Sequence, residues 1–239
     1  MDFIGHLEEL RRRILVCLGF LAAASAVLLV MGRSLMVWVK RPLEGAAAEM
    51  IFISPAEAFT AYVKLALFGG LILTVPVIFY ESWLFLYPAV PRPKRKNILI
   101  WIGVGSVLFL AGLLFSYFVA IPTALRFLLS FGAEFARPAI TLGKYVSFFG
   151  ALMIIGGAIF EIPIVMGLLA DIGVLRTDVL KAKRQYALII ILIVAAVITP
   201  TQDVFNMFLF ALPMGVLYEL GVFLARMIEK RKNKTLTQL

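Results

Sequence analysis

The residues best placed to do chemistry are a few carboxylates in unusual surroundings. Glu161 stands in the run Gly156-Gly157-Ala158-Ile159-Phe160-Glu161-Ile162-Pro163-Ile164, inside an apolar stretch over 145–169. An acid there gives up water and gains nothing from hydrocarbon, so its cost marks it as a functional candidate. It can be held charged by a polar partner, or it can stay neutral and hydrogen-bond. No basic residue lies inside another apolar run at similar depth, so the expectation is a neutral acid that takes a polar group from a partner's membrane helix or holds water. A helix-to-helix hydrogen bond within the chain is the structural alternative.

A second cluster opens the chain: His6-Leu7-Glu8-Glu9-Leu10-Arg11-Arg12-Arg13. Phe3, Leu7, Leu10 and Ile14 recur at helical spacing, which predicts an interfacial helix feeding an apolar span. Glu8 with Arg12 and Glu9 with Arg13 are i,i+4 pairs worth a few tenths of a kcal/mol; the functional alternative is an acidic spot at the membrane surface. Asp203 directly precedes the apolar run that begins at Val204, the usual place for an N-cap. Glu219 lies within that run and has no separate role assigned. Cys17, the single cysteine, excludes an internal disulfide and reads as a small apolar residue in the first span. His6, the single histidine, cannot build a metal site, and no His-Glu-x-x-His, nucleophile–base pair, nucleotide loop or cofactor signature is present. The expectation is a protein that is not an enzyme and carries no cofactor.

The elements that must position these groups follow from composition. The 239 residues are 62% hydrophobic and 15% charged, with a mean hydropathy of +1.01, far more apolar surface than a soluble domain of this size can use. Six apolar runs over 14–31, 58–87, 98–121, 145–169, 185–198 and 204–225 read as helical spans of one transmembrane domain, 1–239, and none shows the alternation of a membrane strand. Closed helices satisfy their own backbone, which lipid cannot do. Sixteen of the 23 Lys and Arg collect on one side: Arg11–Arg13, the loop Arg92-Pro93-Lys94-Arg95-Lys96, the stretch Arg176 to Arg184, and the tail from Arg226 to Lys234. The positive-inside rule then puts both termini in the cytoplasm, and the net charge of +9 reflects orientation more than nucleic-acid binding. The small-residue string after the arginines could pass for a signal-peptide cleavage site, but Glu8, Glu9 and the unbroken run to Met31 favour a retained span. The run over 185–198 is only about 21 Å long, and Pro76 should bend the overlong second span. Unequal, bent helices with a short fifth and sixth predict an all-α curved, concave wall.

His-Leu-x-Glu-Leu-Arg-x-Arg leading into a first span resembles the start of TatC, the family of multispanning core subunits of the twin-arginine protein translocase. The likeness runs through the chain: Lys40-Arg41-Pro42-Leu43 matches the first periplasmic loop, Ser54-Pro55-Ala56-Glu57-Ala58-Phe59 the entry to the second span, and Pro76 to Trp83 with Pro88-Ala89 its exit. Phe115-Ser116-Tyr117-Phe118 with Pro122, Phe160-Glu161-Ile162-Pro163, Ile198-Thr199-Pro200, Asp203-Val204-Phe205 and Leu217-Tyr218-Glu219 resemble the later spans. The resemblance implies a subunit of the cytoplasmic (inner) membrane that binds twin-arginine signal peptides of folded cargo and recruits the single-span partners TatA and TatB, with self-association in the receptor complex. It places the recognition carboxylate on Glu9, flanked by Leu10 and Arg11, a family glutamate of the concave side on Glu161, and a family aspartate on Asp203. Pro42 and Phe85 fall on family positions tied to function. Guanidinium is flat, permanently charged and suited to bidentate pairing with carboxylates.

One departure stands out. The family's second recognition glutamate lies in the loop between spans two and three, yet here that loop carries four cations and no acidic residue occurs over 82–133. Glu81, at the cytoplasmic end of span two, is expected to supply the missing charge; pairing with an arginine of its own loop is the bland alternative. A proton-coupled solute transporter using Glu161 is the competing function, and it predicts paired midplane polar residues and an internal repeat, neither of which is visible.

Overall fold

The computed structural model describes residues 3–44, 49–86, 98–130, 138–175, 177–198 and 203–236. The cationic loop Arg92 to Lys96, Pro88-Ala89, Arg176 and the link Thr199-Pro200-Thr201-Gln202 lie outside them. Apart from one three-residue parallel strand pair, Glu49–Ile51 (β1) beside Ala139–Thr141 (β2), the described regular structure is helical. Among the described residues five helices are long and apolar enough to cross a membrane, Gly5–Val30, Pro55–Phe85, Ile100–Ser130, Leu142–Asp171 and Val204–Lys230, with Arg184–Val197 as a shorter sixth. The all-α, multi-pass reading therefore holds. The chain packs as two compact units, Met1–Ser106 with Tyr117–Ile154, and Val107–Ser116 with Ile155–Leu239.

In the first unit, α1 (Phe3–Val30) joins the expected interfacial helix and first span into one helix. It lies along α3 (Pro55–Leu86). Small residues set the approach: a Cβ on Gly70 would stand 2.2 Å from the Ser25 hydroxyl oxygen, and one on Gly69 2.7 Å from Leu28. Membrane helices gain little from hydrophobicity against each other, so such close backbone contacts carry the packing. Helix α3 runs continuously through Pro76. The segment expected as a loop around Pro42 is instead helix α2 (Gly32–Glu44), which buries Met36, Val39 and Leu43 at i, i+3 and i+7 and turns its cations outward. That amphipathic spacing is present in the sequence, and packing on α3 and on α5 (Ile121–Ser130) selects it. Only the start of helix α4 (Ile98–Phe115), up to Ser106, belongs to this unit; a π-helical turn, Ser116–Ala120, precedes α5, and α6 (Leu142–Phe160) contributes its first part.

In the second unit, α7 (Ile162–Ile172) and α9 (Arg184–Ile198) pack on α10 (Val204–Leu236), with the short α8 (Thr177–Ala182) beside it. The expected fourth span is thus two helices separated at Glu161. Pro163 has no N–H to give the Ile159 carbonyl, and the Glu161 N–H bonds back to Ala158 at 3.2 Å, so the ladder resets there. Helix α7 stops at Gly173, whose φ of 88° and bonds to Ala170 and Leu169 make a left-handed cap that a Cβ would strain. Helix α9 has 15 residues, about 22 Å and short of a 30 Å hydrocarbon core. Helix α10 extends well past the expected end at 225.

Candidate functional site

The acidic spot is built by α1 and α3 together. Arg13 reaches in two directions: Nη2 donates to Glu9 Oε1 one turn back on α1, and Nη1 donates to Glu81 Oε2 on α3 at 3.0 Å. The i,i+4 pairing expected for Glu9 is therefore present, whereas Glu8 and Arg12 leave their side chains exposed. Glu81 pairs with an arginine of α1, and the alternative partner in its own loop lies outside the described residues. The three side chains are only partly exposed, 20% for Glu9, 19% for Arg13 and 14% for Glu81. Two carboxylates and one guanidinium leave the cluster with a net charge of −1. Glu9 Oε2 and Arg13 Nε are buried and have no hydrogen-bond partner among the described residues. Unpaired buried polar atoms are costly, so the site has room for one more donor at Glu9 and one more acceptor at Arg13.

The cluster faces a groove of about 1080 Å³ whose walls include Glu9, Arg11 and Arg12 of α1 with Tyr80 and Glu81 of α3. On its other side, Arg13 and Glu81 also border a second cavity of about 440 Å³, which Leu10, Cys17 and Phe85 help to line. Phe85 stacks on His6 with ring centroids 4.4 Å apart, fixing the end of α3 against the start of α1. Glu9, Leu10, Arg11, Glu81 and Phe85 thus come together at one end of the α1–α3 pair. The sequence pairs Arg13 with Glu9; its second partner, Glu81, lies 68 positions away and has no local signal.

Glu161 occupies the break between α6 and α7. It is buried, its side chain makes no capping bond, and Oε1 has no partner among the described residues. Its neighbours are packed at backbone distance: a Cβ on Gly112 would meet the Gly156 carbonyl oxygen at 2.4 Å, and one on Gly157 the Phe109 ring at the same distance. Asp203 is the N-cap the sequence predicts. Its Oδ1 accepts the Asn206 N–H at 2.7 Å and its Oδ2 the Asn206 side-chain amide at 2.8 Å. Glu219 takes Arg184 as an ion-pair partner at 2.7 Å.

Pro42 acts through what it lacks. Without its N–H, the Trp38 carbonyl loses its helical donor, and the Tyr117 hydroxyl fills the vacancy at 3.0 Å. The Tyr145 hydroxyl donates to the next carbonyl, Val39, at 2.7 Å, and the Arg41 guanidinium lies 4.4 Å over the Trp38 ring. At the same end, Ser54-Pro55-Ala56-Glu57 starts α3 as a capping arrangement: Ser54 Oγ accepts the Glu57 N–H, and the Glu57 carboxylate accepts N–H groups from Ile53 at 2.9 Å and from Gly143 at 3.0 Å. The Ser-x-x-Glu spacing signals the cap; nothing in the sequence signals the bond to Gly143, which ties the starts of α3 and α6 together.

The family model for Sec-independent protein translocase protein (TatC) matches residues 5–213. Among similar proteins, a Sec-independent protein translocase protein TatC of Carboxydothermus hydrogenoformans is 34% identical over 232 residues, covering 97% of this chain and 96% of the relative. The protein of the same description from Aquifex aeolicus is 33% identical over 239 residues, covering 98% of each. A crystal structure of a twin-arginine translocase receptor, TatC, superposes with a TM-score of 0.83 at 31% identity, covering 94% of this chain and 99% of the other.

Proposed function

This chain belongs to the TatC family of Sec-independent protein translocase proteins, and on that premise we propose that it is the receptor for twin-arginine signal peptides on folded export cargo. It is a multi-pass membrane protein and a translocase component, not an enzyme. The observation that carries the proposal is the underbonded acidic cluster: a net −1 site, mostly shielded from water, with a buried Glu9 oxygen that has no donor among the described residues. A guanidinium brings rigid paired donors and a charge that burial does not remove, so it completes such a site better than an ammonium does. Arg13 already shows how a guanidinium sits between Glu9 and Glu81. In this account Glu81 takes the place of the loop acid that the family usually has, Leu10 and Arg11 frame the entry, and Phe85 holds the α3 end in position.

The subunit works in the cytoplasmic membrane with both termini inside, as the basic residues direct. The partners are TatA and TatB, whose single spans approach the membrane-embedded surface, and further copies of the chain in the receptor complex. Glu161, with its unpartnered Oε1, offers a polar contact to such a span; Asp203 and Pro42 hold the shapes of the α10 start and of α2. Family membership leaves no ground for the solute-transporter reading. The test is export of a folded reporter with a twin-arginine signal in cells whose own TatC is deleted. Glu9→Lys should abolish export while the protein still inserts and accumulates; undiminished export by that variant sinks the proposal.

A further inference from the structure

At the outer end of α1, where the chain turns into α2, lies a cavity of about 420 Å³ that the receptor reading does not use. Its walls are of two kinds. Leu29, Val30 and Met31 give an apolar side at the end of α1, while Arg33 and Ser34 of α2 and Tyr62 of α3 give a polar one. Gly32 sets the place of the tyrosine: a Cβ there would stand 2.8 Å from the Tyr62 ring, so the ring lies against bare backbone. Among the described residues, the side chains of Arg33, Ser34 and Tyr62 have no hydrogen-bond or ion-pair partner. A guanidinium and two hydroxyls therefore share one cavity with their donors unused. That set suits a phosphate, whose oxygens accept from several donors at once.

We infer that this cavity seats an anionic phospholipid of the outer leaflet, its phosphate on Arg33, Ser34 and Tyr62 and an acyl chain along Leu29 to Met31. The apolar wall selects a lipid over a free anion. Val30 is 89% exposed, and Val27, Leu29 and Met31 are exposed beside it, a strip of hydrocarbon on the last turn of a membrane-crossing helix. An inorganic phosphate would use the donors and leave that strip uncovered; a bare hydrocarbon chain would cover the strip and leave the donors unused. Charge selects the headgroup. Cations are disfavoured on the outer side of a membrane protein, yet Arg33, Lys40 and Arg41 stand within the 13 residues of α2 against the single acid Glu44, a net charge of +2. That field favours an anionic headgroup over a zwitterionic one. Trp38, exposed and stacked under Arg41, is the residue type that settles at headgroup level, which puts α2 at the height of the lipid phosphates.

The test labels the site with the lipid itself. The whole chain is placed in phosphatidylcholine nanodiscs doped with phosphatidylglycerol that carries a photoreactive acyl chain, and adducts are mapped by peptide mass spectrometry. Phosphatidylcholine with the same photoreactive chain is the comparison probe, and labels on other spans serve as the internal reference. The inference expects Leu29 to Met31 to be labelled about tenfold more by the phosphatidylglycerol probe, the factor that one charge-assisted contact supplies. Arg33→Gln should erase that preference, and Tyr62→Phe, which keeps the ring and loses the donor, should cut it about threefold. Lys40→Gln removes the same charge from the same helix at a position that does not line the cavity, and should leave the preference in place. Equal labelling by the two probes overturns the inference. So does a preference that survives in Arg33→Gln and Tyr62→Phe, or one that falls as far in Lys40→Gln, which would make the attraction a general one. Displacement of the phosphatidylglycerol label by inorganic phosphate would make the site one for a free anion and overturn the lipid. A melting curve checks each variant, and Tyr62→Phe carries the test alone if Arg33→Gln fails to fold.

Discussion

Replacing Glu81 by Gln removes one charge from the acidic cluster and keeps the shape of the side chain. The cluster's net charge goes from −1 to 0, and Arg13 loses its charged partner at 3.0 Å on α3. A hydrogen bond to a charged group contributes about 1.5–3 kcal/mol, and a fully exposed ion pair about 0–1. With only 14% of the Glu81 side chain and 19% of the Arg13 side chain exposed, the upper of these ranges applies to an incoming guanidinium that shares the carboxylate. Since 1.4 kcal/mol is a factor of ten, twin-arginine peptide binding should weaken about 10- to 150-fold. Glu81→Lys makes the cluster +1 and should abolish binding. The assay is fluorescence anisotropy of a labelled peptide on the purified chain, at about 0.1 M salt and again at about 1 M, where the Debye length falls to about 3 Å and the difference between the proteins should shrink. A melting curve for each variant shows whether the fold survives. Unchanged affinity in both folded variants would refute the placement of Glu81 in the recognition site.

Three further outcomes follow from single contacts. Asp203→Ala should cost about 0.5–2 kcal/mol by uncapping α10, with Asp203→Asn recovering most of it, as measured by thermal unfolding in detergent. Tyr145→Phe removes the side-chain donor to the Val39 carbonyl, a loss of about 0.5–1.5 kcal/mol, and should raise hydrogen exchange across Gly32–Glu44 more than elsewhere. Glu161→Gln should keep export and the co-purification of TatA, because a neutral hydrogen-bonding group remains, whereas Glu161→Leu should lose both; loss in the Gln variant as well would assign the carboxyl an ionic or proton-carrying role.

Much of the fold was legible because lipid leaves the chain so few options. Runs of apolar residues had to become helices, and the 14-residue run over 185–198 became the short α9. Asp203 next to Val204 announced its cap. Helix boundaries were less visible where local chemistry competes. Pro163 stands at the start of α7, just after the break at Glu161, while Pro76 sits inside an unbroken α3, and the two prolines look alike in sequence. The helix around Pro42 was hidden behind its cations although Met36, Val39 and Leu43 carried the right spacing. In the candidate site, Glu9 and Glu81 could each be picked out as an acid among cations. That one guanidinium bridges them, and that two tyrosines cap the carbonyls of α2, are long-range facts with no local signature.

The central claim is that paired guanidinium groups dock against Glu9 beside Arg13 and Glu81. It is tested most directly by placing an aromatic photocrosslinker at position 80, where Tyr80 lines the groove and Glu9 and Glu81 stay intact, and comparing a twin-arginine peptide with its twin-lysine counterpart at equal concentration. The account predicts a strong adduct with the arginine pair, competed away by unlabelled twin-arginine peptide, and little with the lysine pair. Equal adducts with both, or none with either in a folded membrane-inserted protein, would contradict it.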